Sequence, residues 1–235
     1  MKIVNIFAAF INAVCLIVLL LAVAIQTPAF GLWFYEYEFE KNDSYAVVKM
    51  DEENLRIVAE SLIGYLNGSR PGLENVEVVV NGNVKPFFNE KEILHMDDVK
   101  FLFEEGIKAR NLAAIGFFAT LAYFILNMIF AKNKGGKTLL LMWRILADIF
   151  LIVMIVTGII LATNFSWAFR LFHELSFAND LWLLNPATDL MINILPSGFF
   201  QDIAILIAGI FALSLVLVNV ISYILRAVIK RFISQ

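Results

Sequence analysis

The chain is poor in the residues that most often carry metal or redox chemistry. Its 235 residues include one cysteine, Cys15, and two histidines, His95 and His173. A single cysteine cannot form an intrachain disulfide, and it excludes the zinc sites that several cysteines build. The net charge is −3, and no basic stripe lies outside the flanks of the apolar segments, which argues against a nucleic-acid partner. We therefore predict no cofactor, and the two imidazoles remain the groups best suited to exchange protons near neutral pH.

Hydrophobic residues are abundant, at 60% of the chain, whereas soluble domains have about 45–50%. They form four runs, each near the roughly 20 apolar residues that cross a bilayer core: 3–25, 112–131, 139–162 and 203–225. We predict an α-helical integral membrane protein with four transmembrane helices and a small external α+β cap. The first run also resembles a signal peptide, but it exceeds the roughly 7–15 apolar residues of such a peptide, so we interpret it as an uncleaved span.

Positive charge in the short flanks predicts the orientation, because cytoplasmic flanks are rich in lysine and arginine. If the helices alternate, the basic residues that share one side are Lys2, the three lysines of 132–137, Arg226, Lys230 and Arg231. We expect both termini in the cytoplasm and the histidines outside. The predicted segments are transmembrane helix 1 at 1–25, an external cap at 26–110, transmembrane helix 2 at 111–131, transmembrane helix 3 at 138–162, an external interfacial lid at 163–202, transmembrane helix 4 at 203–225 and a cytoplasmic tail at 226–235.

The pattern of the cap predicts strands and helices. Aromatic and acidic residues alternate over 34–40, which is typical of a half-buried strand, and 45–50 is a second candidate strand. Asp51 is a candidate N-cap for a helix that ends at Asn67-Gly68. Asn81-Gly82 between two β-rich runs predicts a hairpin. Asn89 and Glu92 have the spacing of a capping box for the last helix of the cap.

Several polar residues fall inside the predicted spans. We expect Asn12 and Asn127 to form hydrogen bonds between helices. Arg144 and Asp148 are four residues apart, and we interpret them as an ion pair within one helix.

The two histidines lie in polar clusters beside apolar segments. His95 stands in Ile93–Lys100, where helical spacing places Asp98 on its face. His173 stands in an aromatic stretch that is too polar to span a bilayer and too aromatic to lie free in water, which is typical of the membrane interface. Two alternatives remain open: a surface histidine on an amphipathic helix for His95, and an aromatic belt for the second stretch.

These two clusters carry a resemblance to a known family. The segments His95–Lys100 and Phe172–Pro186, together with the order of the spans, resemble the lipoprotein intramolecular transacylases, called Lit, which are four-span proteins of bacterial membranes. The resemblance implies an enzyme on the outer face of the cell membrane whose substrate is a diacylglyceryl-modified lipoprotein. Such an enzyme moves the acyl chain at the middle (sn-2) glycerol carbon to the N-terminal amine and leaves an N-acyl lyso-form lipoprotein.

The chemistry of such a transfer suggests roles for individual residues. His95 and His173 would be catalytic, with His95 as the base. Asp98 would orient His95, and Asn179 or Trp182 would donate a hydrogen bond to the oxyanion. We expect Trp167, Phe172 and Phe177 to contact the substrate, with membrane lipids as the other partner.

Other functions fit the sequence less well. A metal-dependent lipid hydrolase would use both histidines with nearby aspartates, but the chain lacks the His-Glu-x-x-His spacing of zinc hydrolases. A noncatalytic four-span receptor or accessory protein would not need either histidine. Ser176 lies one turn after His173 but lacks the sequence context of a serine nucleophile.

Overall fold

Four long helices dominate the computed structural model, which describes residues 2–130 and 135–233, without the side chains of 229–233. Each long helix contains one of the four predicted apolar runs, as far as the described residues extend. The chain is therefore a multi-pass membrane protein with four transmembrane helices, as predicted. The helices and strands are α1 (Lys2–Ala29), α2 (Leu32–Lys41), α3 (Ser44–Val48), α4 (Glu52–Leu66), β1 (Glu77–Val80), β2 (Asn83–Pro86), α5 (Glu90–Phe130), α6 (Gly135–Ser176), α7 (Met191–Ile194) and α8 (Ser197–Ile233).

Helices α5 and α6 are longer than a bilayer needs. They have 41 and 42 residues, or about 60 Å each at 1.5 Å per residue, against a hydrocarbon core of about 30 Å. Each therefore continues well beyond its apolar run, and the continuations carry the histidines. The end of the second predicted span at Ala131, most of the predicted lysine loop and the side chains of Lys230 and Arg231 lie outside the described residues.

The chain divides into two compact units. The first contains residues 1–24, 107–159 and 208–235, and the second contains residues 25–106 and 160–207. In the first unit, Ala9, Phe124 and Leu139 form a small buried cluster. In the second unit, a larger core joins α2, α4, the hairpin, α7 and the first turn of α8.

Two predicted strands of the cap are helices. The segment 34–40 belongs to α2, and residues 45–48 of the segment 45–50 belong to α3. In α2 the buried residues are Phe34, Tyr35, Glu38 and Phe39, which is the spacing of a helix face. The alternation of aromatic and acidic residues was misleading because the hairpin strands pair only with each other, and no third strand pairs with them in the described ranges.

The predicted caps and the hairpin are confirmed. The side chain of Asp51 accepts a hydrogen bond from the backbone N–H of Asn54 at 2.8 Å and caps α4. Strands β1 and β2 pair antiparallel, with Val80 opposite Asn83. The turn residues Asn81 and Gly82 have φ of 50° and 80°, as a type I′ hairpin turn requires.

Helix α6 is broken near the point where its apolar run ends. Asn164 has φ of −153° and ψ of 68°, which is not helical. Its side chain accepts a hydrogen bond from the backbone N–H of Trp167 at 3.2 Å. The part of α6 that carries His173 therefore has its own N-terminal cap.

Asn12 links three helices of the first unit. Its amide donates to the carbonyl of Phe117 at 2.9 Å and to the hydroxyl of Thr120 at 2.8 Å, and its oxygen accepts from the indole of Trp143 at 2.8 Å. The predicted role of Asn12 is thus confirmed. The same prediction for Asn127 is wrong, because its amide donates to Tyr123 in its own helix.

The predicted ion pair between Arg144 and Asp148 is also absent from the described part of the chain. Asp148 instead accepts a hydrogen bond from the side chain of Asn219 on α8 at 2.9 Å. A polar contact between two helices has replaced the expected contact within one.

Replacement of Asn12 by alanine should destabilise the first unit. The change removes three hydrogen bonds between helices, and such bonds contribute about 0.6 kcal/mol each on average within membranes, so the loss should be about 1–2 kcal/mol. Thermal unfolding of the purified protein in detergent measures this. Asn127→Ala is the matched control, since it removes a bond within one helix; equal losses for the two variants would contradict the assignment.

Candidate active site

The structure brings the two histidines together in the second unit. His95 lies in the second turn of α5, and His173 lies in the last turn of α6. Their ring centroids are 6.3 Å apart. Both side chains are buried, with 7% and 8% of their surface exposed. Residues 78 positions apart in sequence thus form one candidate centre.

Aromatic rings surround this pair. The ring of Phe177 is 5.4 Å from His95 and 5.6 Å from His173. Around His173, the ring centroids of Phe169, Trp182 and Phe172 lie at 4.2, 4.8 and 5.3 Å. The two imidazoles therefore lie in a largely apolar shell.

This shell changes the acid–base properties of both histidines. Burial, followed by the neighbouring His173, lowers the pKa of His95 from 6.5 to about 4. Burial also lowers the pKa of His173, although its hydrogen bond to Phe169 opposes this shift. A lowered pKa means that each imidazole stays neutral at pH 7 and keeps a lone pair that can accept a proton.

The hydrogen bond of His173 fixes which nitrogen carries its proton. Nδ1 lies 2.7 Å from the backbone carbonyl of Phe169. A carbonyl only accepts, so Nδ1 must donate and Nε2 of the neutral ring must hold the lone pair. On His95, Nδ1 is buried and has no hydrogen-bond partner in the described ranges.

Asp98 and Asn179 form a polar contact beside the histidines. The amide of Asn179 donates to a carboxylate oxygen of Asp98 at 2.8 Å, and the oxygen of Asn179 accepts from the backbone of Leu181 at 3.0 Å. The charge of Asp98 raises the pKa of His95, although burial outweighs it. Asn179 is therefore occupied in holding the 177–182 segment to α5.

The other polar residues of Ile93–Lys100 face a different neighbour. The hydroxyl of Tyr65 on α4 donates to Asp97, and the ammonium of Lys100 lies 4.1 Å from the centre of the Tyr65 ring. The cluster thus serves two purposes, because it places His95 at the centre and attaches α5 to α4.

A buried carboxylate, Glu92, joins the start of α5 to the 190–191 backbone. It completes the predicted capping box with Asn89, at 2.8 and 2.9 Å, and it accepts from the backbone N–H of Met191 at 2.7 Å. Burial raises the pKa of Glu92, while the N–H donors oppose that shift. Sequence reasoning identified the cap but not this second contact, which depends on a residue 99 positions away.

A second bridge lies next to Glu92. The carboxylate of Asp189 accepts from the side chain of Asn89 at 2.9 Å and from the backbone of Asn185 at 2.7 Å. Lys91 donates to the carbonyl of Leu183. Together these contacts hold the 183–191 segment against the turn that precedes His95.

The predicted substrate-contacting residues divide into two groups. Phe172 and Phe177 contact the histidine rings, whereas Trp167 is exposed and has no ring contact with either histidine among the described residues. Sequence reasoning missed Phe169 and the ring of Phe200, which lies 5.1 Å from Phe169. The four-residue spacing of Phe169 and His173 on one helix was the available signal.

The described residues contain no group of three or more histidine, cysteine, aspartate or glutamate side chains placed to hold a metal ion. The aspartates near the histidines instead bind amide, hydroxyl and backbone donors of the protein.

Comparison with protein families identifies the chain. A sequence model described as lipoprotein intramolecular transacylase Lit matches residues 10–200. The chain belongs to the Lit family. The resemblance seen in the two histidine clusters is thereby confirmed. Family membership makes the chain a membrane transacylase, and its class of substrate is a lipoprotein.

Solved structures of the Lit protein of Bacillus cereus have the same fold. One is 21% identical with a TM-score of 0.81, and the match covers 100% of both chains. Two others are variants of that protein in which a histidine is replaced by arginine or by alanine. They are 22% and 20% identical, each with a TM-score of 0.76, and the matches cover 100% of this chain and 96% or 97% of the other. The comparison with curated proteins gives no match.

Because the chain has only two histidines, nitrogen NMR of the ¹⁵N-histidine-labelled protein in nanodiscs can examine each ring. At pH 6, where a free histidine is mostly protonated, we expect His95 to be neutral and His173 to be less protonated than a free histidine, with the proton of its neutral ring on Nδ1. His173→Gln assigns the signals. A His173 signal that titrates near 6.5, or that shows a proton on Nε2, would contradict the structural argument.

Proposed function

We propose that this Lit protein moves the sn-2 acyl chain of a diacylglyceryl-modified lipoprotein to the N-terminal amine of the same molecule. The observation that carries the proposal is the pair of buried, neutral histidines, one of which has a free lone pair on Nε2. The membership in the Lit family supplies the reaction class. The products are an N-acyl group and a free glycerol hydroxyl, which together form a lyso-lipoprotein.

An intramolecular transfer needs no nucleophile from the protein. The amine and the ester belong to one substrate, so holding them together replaces a bimolecular encounter, and such arrangements reach effective molarities of about 10⁵ M or more. The chain accordingly needs to supply proton transfer, oxyanion stabilisation and exclusion of water. The aromatic shell that buries His173 suits the last of these tasks.

The proton balance assigns the work of the imidazoles. The amine nitrogen attacks the ester carbonyl and loses a proton, the bond between the acyl carbon and the glycerol oxygen breaks, and that oxygen takes up a proton. A neutral histidine accepts the first proton and returns it to the departing oxygen. No other acyl donor or water molecule takes part.

The hydrogen bond of His173 leads us to exchange the roles expected from the sequence. With Nδ1 donating to Phe169, Nε2 of His173 is an oriented base. His95 lies beside His173. Once His173 has accepted a proton, a positive charge on His95 would repel it. The strongly lowered pKa of His95 keeps it neutral, so it tolerates the imidazolium that forms during the transfer.

Trp182 is the better candidate of the two predicted oxyanion donors. Its indole packs against His173 at 4.8 Å, and its N–H makes no hydrogen bond within the described ranges. Asn179 already donates to Asp98. We also assign acyl-chain contacts to Phe172 and Phe177, which lie against the histidines, and to the exposed Trp167 at the start of the same helical segment.

Expression in a bacterial strain whose lipoproteins stop at the diacyl stage tests the reaction. Mass spectrometry of the lipoprotein N-termini should find an N-acyl group and one remaining glyceryl ester. His95→Ala and His173→Ala should lower the yield at least about 100-fold, as expected for loss of acid–base catalysis. Trp182→Phe, which keeps a ring but removes the N–H, should lower the rate about 100-fold to 1,000-fold.

Glu60→Ala is the control for this experiment, because Glu60 is exposed on α4, where it pairs with Arg56. Unchanged diacyl termini with an inserted protein would refute the proposal. Release of free fatty acid, abolished by a chelator, would instead indicate the metal-dependent hydrolase.

We further propose that both termini are cytoplasmic and that the second unit faces the outside. The basic residues near the ends of the apolar runs support this orientation. In a Cys15→Ala background, Ser69→Cys on the cap should react with a membrane-impermeant maleimide in intact cells, and Lys137→Cys should react only after lysis. The reverse pattern would overturn the orientation.

A further inference from the structure

One face of α6 in the first unit has a regular exposed stripe. Its members are separated by four, three, four and three residues, and all are exposed: Leu141, Ile145, Asp148, Ile152 and Ile155. The opposite face of the same helix contains the buried Leu146 and Ala147. This alternation of four and three is the seam of a coiled coil, with isoleucine at one core position and a mixed set at the other.

The stripe contains one charged residue in a helix that is otherwise apolar there. Asp148 is exposed, and among the described residues its carboxylate accepts a hydrogen bond from the amide of Asn219 alone. The single oxygen of the Asn219 side-chain amide is buried without a hydrogen-bond partner in the described residues. The contact between Asp148 and Asn219 therefore leaves a buried acceptor, the Asn219 oxygen, without a donor.

Arg144 lies one turn from Asp148 and at the edge of the stripe. It makes no hydrogen bond or ion pair with any residue that the structure describes. Arg144 and Asp148 therefore do not pair with each other, although a spacing of four residues on a helix allows an ion pair. The face thus presents one uncompensated positive charge and one uncompensated negative charge.

Such charges are costly against lipid tails. A carboxylate or guanidinium at the centre of a transmembrane helix costs about 2.5–3.5 kcal/mol on insertion scales, and charged residues in spans almost always face protein or water. The described residues of this chain do not cover Asp148. Another protein surface is the arrangement that removes the cost.

We propose that a second copy of this chain covers the stripe, so that α6 packs parallel to α6 of its partner within the membrane. Arg144 of one copy pairs with Asp148 of the other, and the reverse pair forms by symmetry. This proposal is independent of the catalytic one.

The chemistry of the stripe favours a second copy over an unrelated partner. All copies of a membrane protein share one orientation, so two α6 helices related by a two-fold axis are parallel and bring equal depths together. Asp148 in the stripe and Arg144 at its edge have opposite charges, so the pair of copies has a net charge of zero in the seam. A polar residue in an otherwise apolar seam also fixes the register of the helices.

Disulfide cross-linking in proteoliposomes tests the packing without altering either charge. In a Cys15→Ala background, Ile152→Cys and Ile155→Cys place thiols in the seam, and Val153→Cys places one at the same depth about 100° around the helix. Seam thiols should cross-link at least roughly tenfold faster than the control at high dilution in lipid, where random collisions are rare. Equal rates at Ile152→Cys and Val153→Cys would overturn the proposal.

Charge reversal tests the ion pairs. Asp148→Arg alone gives four positive charges in the seam, and Arg144→Asp alone gives four negative charges. Each variant, carrying Ile152→Cys, should lose self-cross-linking, whereas a mixture of the two, distinguished by tags of different size, should form the mixed dimer. The mixed dimer also shows that both variants are folded. Retained self-cross-linking by either variant, or failure of the mixture to cross-link, would refute the pairs.

Discussion

The histidine centre depends on one buried carboxylate. Glu92 binds the first turn of α5 and the backbone at Met191 at the same time. The segment between His173 and α7 has little regular structure, so it needs side-chain acceptors to hold its backbone. Together with the contacts of Asn179 with Asp98 and of Asn89 with Asp189, this anchor sets the positions of Trp182 and Phe177 relative to His95. A carboxylate suits the role because all its neighbours donate, whereas glutamine would turn a donor toward one of the N–H groups.

The aromatic shell explains why histidine works here in its neutral form. In water, an imidazole is divided between its two protonation states near neutral pH. The rings of Phe169, Phe177 and Trp182 remove water from His173, and His95 is buried in the same way. Loss of hydration disfavours the cation, so the resting site holds no charge on either imidazole. An acyl chain and a neutral amine can enter such a site without losing a hydration shell, whereas an ion would have to give up its bound water.

Local signals in the sequence predicted part of this structure. The apolar runs, the Asn81-Gly82 turn and the caps at Asp51 and Asn89 depend on neighbouring residues and were confirmed. The helix α2 was mistaken for a strand because its burial is decided by contacts such as that of Phe34 with Phe199. The two histidine clusters were recognised as belonging together through the family resemblance, but their hydrogen bonds were not predictable, since Phe169 and Met191 contribute backbone atoms.

The break at Asn164 has a consequence for how the position of His173 is set. In an unbroken helix, each added residue rotates everything beyond it by about 100°. The outer part of α6 instead begins with its own cap at Asn164, and the direction of the imidazole is fixed by Phe177, Trp182 and the carbonyl of Phe169. Insertions or deletions on the bilayer side of Asn164 can thus change the length of the span without rotating the helical turn that carries His173. The length of the span and the direction of the imidazole can therefore vary separately during evolution.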